Sequence, residues 1–213
     1  MDGAALRHRL FERLTPPLDW RADAGAVRSD FDLNPEAARP SRTLRRAAVL
    51  VPVVARAEGA TVLLTRRADT LASHTGQIAF PGGRLDPGET AIEAALREAW
   101  EEIGLAPDQV EVLGLSDAYE SGTGFLITPV VGWIAAPPML RPSPDEVADV
   151  FETPWDFLMN VANHRRDSLV HDGMTRWYWA MPWQERYIWG ATAGMLKGLH
   201  DRLYGAASAE DAA

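Results

Sequence analysis

The spacing of hydrophobic positions changes several times along the chain, and each change marks an element. Leu6, Leu10 and Leu14 recur every fourth residue in a polar stretch, the stripe of a short helix that Pro16-Pro17 ends. Residues 20–43, rich in Ala, Asp, Arg and Pro, show no period and read as an irregular lead-in. Ala47 to Val54 is a nearly continuous apolar run, the pattern of a buried strand, in which Pro52 points to a sheet edge or a bulge. Glu58-Gly59 turns this run into Thr61 to Thr65, so the two read as a hairpin. Residues 66–77 are polar loop, and Ile78-Ala79-Phe80 then meets the turn signal Pro81-Gly82-Gly83.

Beyond a second turn at Asp86-Pro87-Gly88 the period becomes helical. Thr90 and Glu93 form a capping box, Ile92, Ala95, Leu96, Ala99 and Ile103 give an apolar stripe, and Gly104 supplies the stop. Val110 to Leu115, Phe125 to Trp133 and Glu146 to Phe151 are strand candidates, and Pro154 to Asn160 a helical turn. Asp172-Gly173 between apolar arms predicts a hairpin over Ser168 to Ala180. A last helix is predicted from about Ile188 to Tyr204, with Ile188, Thr192, Met195, Leu199 and Leu203 on one side, before a fraying tail at 205–213.

Composition narrows the class. The 213 residues contain no repeat and suit one domain with trimmings. A formal net charge of -9 argues against a nucleic-acid partner, although a local metal and a few arginines leave a small anionic substrate open. No apolar run approaches a membrane span, and MDGAALRHRLFERL lacks the apolar core of a signal peptide, so the expectation is a cytoplasmic protein without a membrane partner. With no cysteine, any metal must rest on oxygen or imidazole ligands.

Glu98, Glu101 and Glu102 share a face of the predicted helix at spacings i, i+3 and i+4. They crowd its C-terminal half, where the helix dipole disfavours negative charge, and no Lys or Arg lies between Glu98 and Asp108. The face is read as exposed, adjacent to the apolar stripe and bordering a cleft, and a divalent cation would supply the missing charge. The plain alternative is a solvated acidic face. Trp100 reads as packing.

The spacing G-x5-E-x7-R-E-x2-E-E-x-G, filled by Gly83, Glu89, Arg97, Glu98, Glu101, Glu102 and Gly104, resembles the Nudix box. The resemblance implies an α/β fold, the α/β/α sandwich with a mixed β-sheet, in a hydrolase domain at 45–204 behind a lead-in at 1–44. It further implies hydrolysis of a substituted nucleoside diphosphate with Mg2+ or Mn2+. Glu98, Glu101, Glu102 and the Gly83 carbonyl would hold the metal. Arg97 would pair with Glu89 to orient the box, whereas helical spacing alone would pair it with Glu93.

Upstream, LLTRRADTLASHTGQIAFPGG (Leu63 to Gly83) resembles the signature of the coenzyme A pyrophosphatase branch, and RYIWGATAGML (Arg186 to Leu196) its ending. This implies cleavage of coenzyme A or its thioesters to 3',5'-ADP and 4'-phosphopantetheine, with Arg66, Arg67, His74 and Phe80 toward substrate. His74 equally suits a loop-ordering role. Ala72 stands where a basic residue is expected, a loss that Arg66 or Arg67 could compensate. The catalytic base is open between Glu101, Glu120 and Glu146, with Glu146 preferred, and Tyr119 and Phe125 are candidates to stack on adenine. The alternatives are a Nudix diphosphatase for ADP-ribose or a dinucleotide, and a catalytically silent Nudix-fold binding module. Trp177, Trp179, Trp183 and Trp189 suit a core, a ligand wall or the interface of a homodimer.

Overall fold

A computed structural model describes residues 2–21, 28–37, 41–68, 76–171 and 173–205. The leucine stripe forms α1 (Gly3–Arg13), capped by the Asp2 carboxylate on the N–H groups of Ala4 and Ala5. The lead-in contributes the two-residue β1 (Arg28–Ser29) before the hairpin of β2 (Arg45–Val54) and β3 (Thr61–Arg67). β4 (Ile78–Ala79) and β5 (Gly82–Arg84) lead into α2 (Ala91–Ile103). Then follow β6 (Glu111–Leu115), β7 (Tyr119–Glu120), β8 (Phe125–Ile134), β9 (Val147–Pro154) and the single turn α3 (Trp155–Leu158). The chain closes with β10 (Arg165–His171), β11 (Met174–Trp183), β12 (Arg186–Trp189) and α4 (Ala191–Tyr204).

Among the described residues nine strands form one mixed sheet in the order β1-β7-β8-β2-β3-β4, with β5 beside β2, β6 beside β8 and β9 beside β3. β2 and β8 run parallel over all of their length, from Arg45 opposite Phe125 to Val54 opposite Ile134. The continuous apolar run of β2 follows from burial on both faces. Ala48, Leu50 and Val54 pack with Ala91, Ala94, Ala95, Ala99 and Ile103 of α2. Val51 and Val53 point the other way, into a cluster with Leu6 and Leu10 of α1, Met181, Ile188, and Leu196 and Leu199 of α4. The result is the α/β/α sandwich, its second layer completed by the antiparallel sheet β10-β11-β12. Among the described residues no helix is long and apolar enough to cross a membrane.

Three local expectations are corrected. Pro52 lies in the central strand, not at an edge. Its missing N–H would point to the same side as that of Leu50, which donates to the Pro81 carbonyl, and on that side Pro52 falls between the β5 pairing (Ala47–Val49) and the β3 pairing (Val53–Val54). The last helix begins at Ala191: Ile188 belongs to β12 opposite Met181, and Gly190 breaks the chain with φ 64°. The Ile188–Thr192 spacing crosses this junction and imitates a helical period. Finally, the inner face of α2 is mostly alanine, and Glu102 shares it. The predicted stripe included Ile92 and Leu96, which are partly buried flanks, and left out Ala91, Ala94 and Glu102, which are buried.

Candidate active site

The capping box at Thr90 and Glu93 starts α2 as the sequence predicts, and Gly104 ends it in the left-handed conformation with φ 67°. Alanines on the inner face let this helix approach β5 closely, which brings its acids against the glycine turn. A Cβ added at Gly83 would lie 2.2 Å from Glu98 Oε1, so only glycine leaves room for that carboxylate. The Gly82 N–H donates to Glu102 Oε2 at 3.3 Å. Glu102 is 5% exposed, which corrects the expectation of an open acidic face. Burial first, and then the neighbouring charge of Glu98, push its carboxyl up to about 8. Burial also raises Glu98, against the opposing effect of Arg97.

The expectation that this face has no cation of its own is likewise corrected, because Arg97 supplies one from the preceding position. Its guanidinium grips Glu89 with two hydrogen bonds, Nε to Oε1 at 2.8 Å and Nη2 to Oε2 at 3.0 Å. The same group reaches Glu98 Oε1 at 2.9 Å, Glu101 Oε2 at 3.1 Å and the Arg84 carbonyl at 3.1 Å. It thereby fastens α2 to β5, while Glu93 is spent on the helix cap. The Glu89 pair lowers the Glu89 carboxyl and raises the Arg97 guanidinium. Glu101 is turned outward, with about half of its side chain exposed.

Glu146 reaches this neighbourhood through backbone. The last carbonyls of α2 lack helical partners, and the segment between β8 and β9 supplies them: Arg141 N–H donates to Ile103 O at 2.8 Å and Ser143 N–H to Glu102 O at 2.8 Å. Ala68 N–H then holds the Glu146 carbonyl at 2.9 Å, and the Glu146 charge acts on both Glu98 and Glu102. Glu120, by contrast, is buried in β7, where its charge acts on Asp30.

A cleft of about 690 Å³ opens beside the box. Arg67 and Gly82 line it and also touch Glu102, Arg67 through Nη1 at 4.0 Å from Glu102 Oε1. Arg66 does not line it and sits in the sheet opposite Asp149 and Ile78. Phe80, expected to face substrate, lines the cleft while remaining 3% exposed, so it is floor rather than a free stacking ring. Phe125 lines the wall, whereas Tyr119 is buried with its hydroxyl donating to Asp30 Oδ1 at 2.6 Å and is unavailable for stacking. Trp177 and Trp189 line the cleft, and Trp179 and Trp183 pack partly buried on the core. Trp100 is exposed rather than packed. His74 lies outside the described residues.

The donor set suits a hard divalent cation. Oxygen ligands alone are present, two of them on neighbouring carboxylates, Glu102 buried and Glu98 partly buried, at a cost that a cation would relieve. Glu98 and Glu102, with the Gly83 backbone between them, fit such an ion. Among the described residues no group of three or more carboxylate or imidazole side chains is already gathered for a metal, in keeping with Glu101 being engaged by Arg97. Arg67 Nε is buried without a hydrogen-bond partner among the described residues, at the junction of box and cleft.

Sequence reading missed the opposite wall. Asp30 accepts the Gly122 N–H, and Asn34 clamps β11 by donating to the Trp177 carbonyl and accepting the Trp177 N–H, both at 2.8 Å. Their segment had no period, and only the Asp and Asn content of SDFDLN hinted at turns with side-chain hydrogen bonds.

A family model described as NUDIX domain matches residues 44–178. The Nudix hydrolase NudL of Cronobacter sakazakii is 43% identical over 168 residues, covering 78% of this chain and 87% of that protein. NudL of Pectobacterium atrosepticum is 41% identical over 190 residues, 86% of this chain and 95% of its own. Among solved structures, a Nudix hydrolase from M. smegmatis, RenU, is 28% identical and superposes at a TM-score of 0.46, covering 62% of this chain and 81% of that one.

Proposed function

The chain belongs to the Nudix hydrolase family, and from that premise we propose that it is a Mg2+- or Mn2+-dependent diphosphatase that cleaves coenzyme A or its thioesters to 3',5'-ADP and 4'-phosphopantetheine or its acyl form. One observation carries the choice of substrate. The two stretches that resemble the coenzyme A branch, Leu63 to Gly83 and Arg186 to Leu196, are far apart in sequence yet line the same cleft. The first does so through Arg67, Gln77, Phe80 and Gly82, and the second through Trp189, Gly190, Ala191, Thr192 and Met195. The cleft is charged where it meets the box and mostly apolar and aromatic beyond it. A substrate with a diphosphate between two organic arms suits that distribution.

Each role follows from position. Glu98 and Glu102 would hold the cation with the Gly83 carbonyl, and Glu101, now engaged by Arg97, would be a further ligand. When bound, divalent cations neutralise the diphosphate and lower the pKa of an attacking water. Arg67 offers its spare donor to a phosphate oxygen at the cleft entrance. Arg97, locked on Glu89, positions the acids and does not itself contact substrate. Glu146, exposed and close to the buried pair, takes the proton of the water. The hydrolase domain is placed at residues 45–204, the lead-in before it completes the cleft through Asp30, Phe31 and Asn34, and the cytoplasm supplies the substrate.

The test is a panel of coenzyme A, an acyl-coenzyme A, ADP-ribose and a diadenosine polyphosphate, compared by kcat/KM with Mg2+ and with Mn2+. Coenzyme A or its thioester is expected to lead by at least about tenfold. A lead for ADP-ribose or the dinucleotide would replace the substrate assignment, and no turnover of any of them would favour the binding module.

A further inference from the structure

Two arginines converge on one aromatic ring at the edge of the cleft. Arg45 lies with its guanidinium carbon 4.0 Å from the centre of the Phe125 ring, and Arg84 stands 5.6 Å from the same centre. The sheet register puts them there. Arg45 pairs with Phe125 in the β2-β8 ladder, and Arg84 of β5 pairs with Ala47, two residues on. Alternation along the strand therefore sets Arg45, Phe125 and Arg84 on the face that also presents Val49 and Ile127 to the cleft.

Like charges do not gather without cause. Among the described residues neither Arg45 nor Arg84 meets a carboxylate, in a chain whose formal net charge is -9. Arg45 spends one hydrogen bond on the Thr123 carbonyl, and Arg42 fixes the same loop through the carbonyls of Ser121 and Gly122. The loop is thus held while further guanidinium donors of Arg45 and Arg84 are left over. We propose that Arg45 and Arg84, flanking Phe125, form a subsite for a terminal phosphomonoester on the nucleotide arm of the substrate. This rests on the diphosphatase reading above and deepens it, since coenzyme A carries such a group on its ribose and dephospho-coenzyme A does not.

The geometry suits that ligand. Gly82, at the box, pairs with Val49, and the chain from Val49 to Arg45 advances about 3.3 Å per residue. From Gly82, Arg84 is therefore about 7 Å and Arg45 about 13 Å along the strand, a span comparable with the length of one nucleotide. A ring for the sugar or base and two forked cations for a dianion are what a phosphorylated nucleoside presents a need for.

Two measurements on the full chain test this. In calorimetry without turnover, 3',5'-ADP is expected to bind at least about tenfold more tightly than AMP, and Arg45→Met and Arg84→Met each to collapse that ratio toward one, with Arg45→Lys retaining part of it. In kinetics, the kcat/KM preference for coenzyme A over dephospho-coenzyme A is expected to shrink in the same variants. An absent preference in the wild type would overturn the subsite. So would equal losses on both nucleotides, or a collapse caused instead by Arg176→Met, at an arginine that lines the cleft with Arg67 while Arg45 and Arg84 stand outside the lining. Cleavage of coenzyme A without the binding preference would sink the subsite and leave the diphosphatase. The arginine-dependent preference without cleavage would do the reverse.

Discussion

The backbone N–H of Gly82 donates to Glu102 Oε2 at 3.3 Å, so the deepest carboxylate of α2 is held against the glycine turn instead of being released to solvent. Its carboxyl is pushed up to about 8 by burial and by Glu98. Between the ordinary glutamate value of 4.5 and about 8, the folded chain therefore binds more protons than the unfolded chain. The contribution of this group to metal-free stability is fully present below that window and is lost as pH rises through it. Glu102→Gln is expected to flatten this slope and to raise the Tm in chelator at pH 8.5, by about 2–4 °C for each kcal/mol relieved in a chain of this size. Thermal melts from pH 5 to 9 check it, and parallel slopes for the two proteins would contradict it. The same variant should lose activity by a factor on the order of 10² or more, having lost a ligand charge.

Gly83→Ala tests the close approach of backbone and acid. Gly83 φ is not in the left-handed region, so contact with Glu98 alone is at issue. The methyl group must displace the Glu98 carboxylate, and activity is expected to fall by roughly 10² with the secondary structure retained by circular dichroism. Wild-type activity would mean that Glu98 is not held where the structure puts it.

Arg97→Lys keeps the charge and removes the fork. The two-point pair with Glu89 and the bond to the Arg84 carbonyl cannot all be made by one ammonium. The expected result is a fall in kcat of about 10- to 100-fold with a small change in Tm, because the pair is partly exposed. An unchanged kcat would reduce Arg97 to a surface partner.

Much of the architecture was legible because the period of the apolar residues follows the layers. The caps of α2, the β2-β3 hairpin and the β10-β11 hairpin each had a local chemical cause in Thr90, Glu58-Gly59 and Gly173, which turns with φ 75°, while Asp172 lies outside the described residues. What escaped depended on tertiary context. Pro52 is tolerated centrally because two different strands share its side of β2, and no local pattern encodes that gap. Glu102 is buried because alanines draw α2 onto the sheet, whereas charge pattern alone reads it as exposed. The cleft wall from Asp30 and Asn34 could not be found by period at all, since those side chains act on backbone groups 92 and 143 residues away.

The central claim is that the box and the cleft together cut one bond of coenzyme A. The most direct measurement is product identification by mass after incubating coenzyme A with the protein and Mn2+, beside a chelator control. The account predicts equal amounts of 3',5'-ADP and 4'-phosphopantetheine, and none in chelator. Recovery of intact coenzyme A, or of dephospho-coenzyme A from attack at the ribose phosphate, would contradict it.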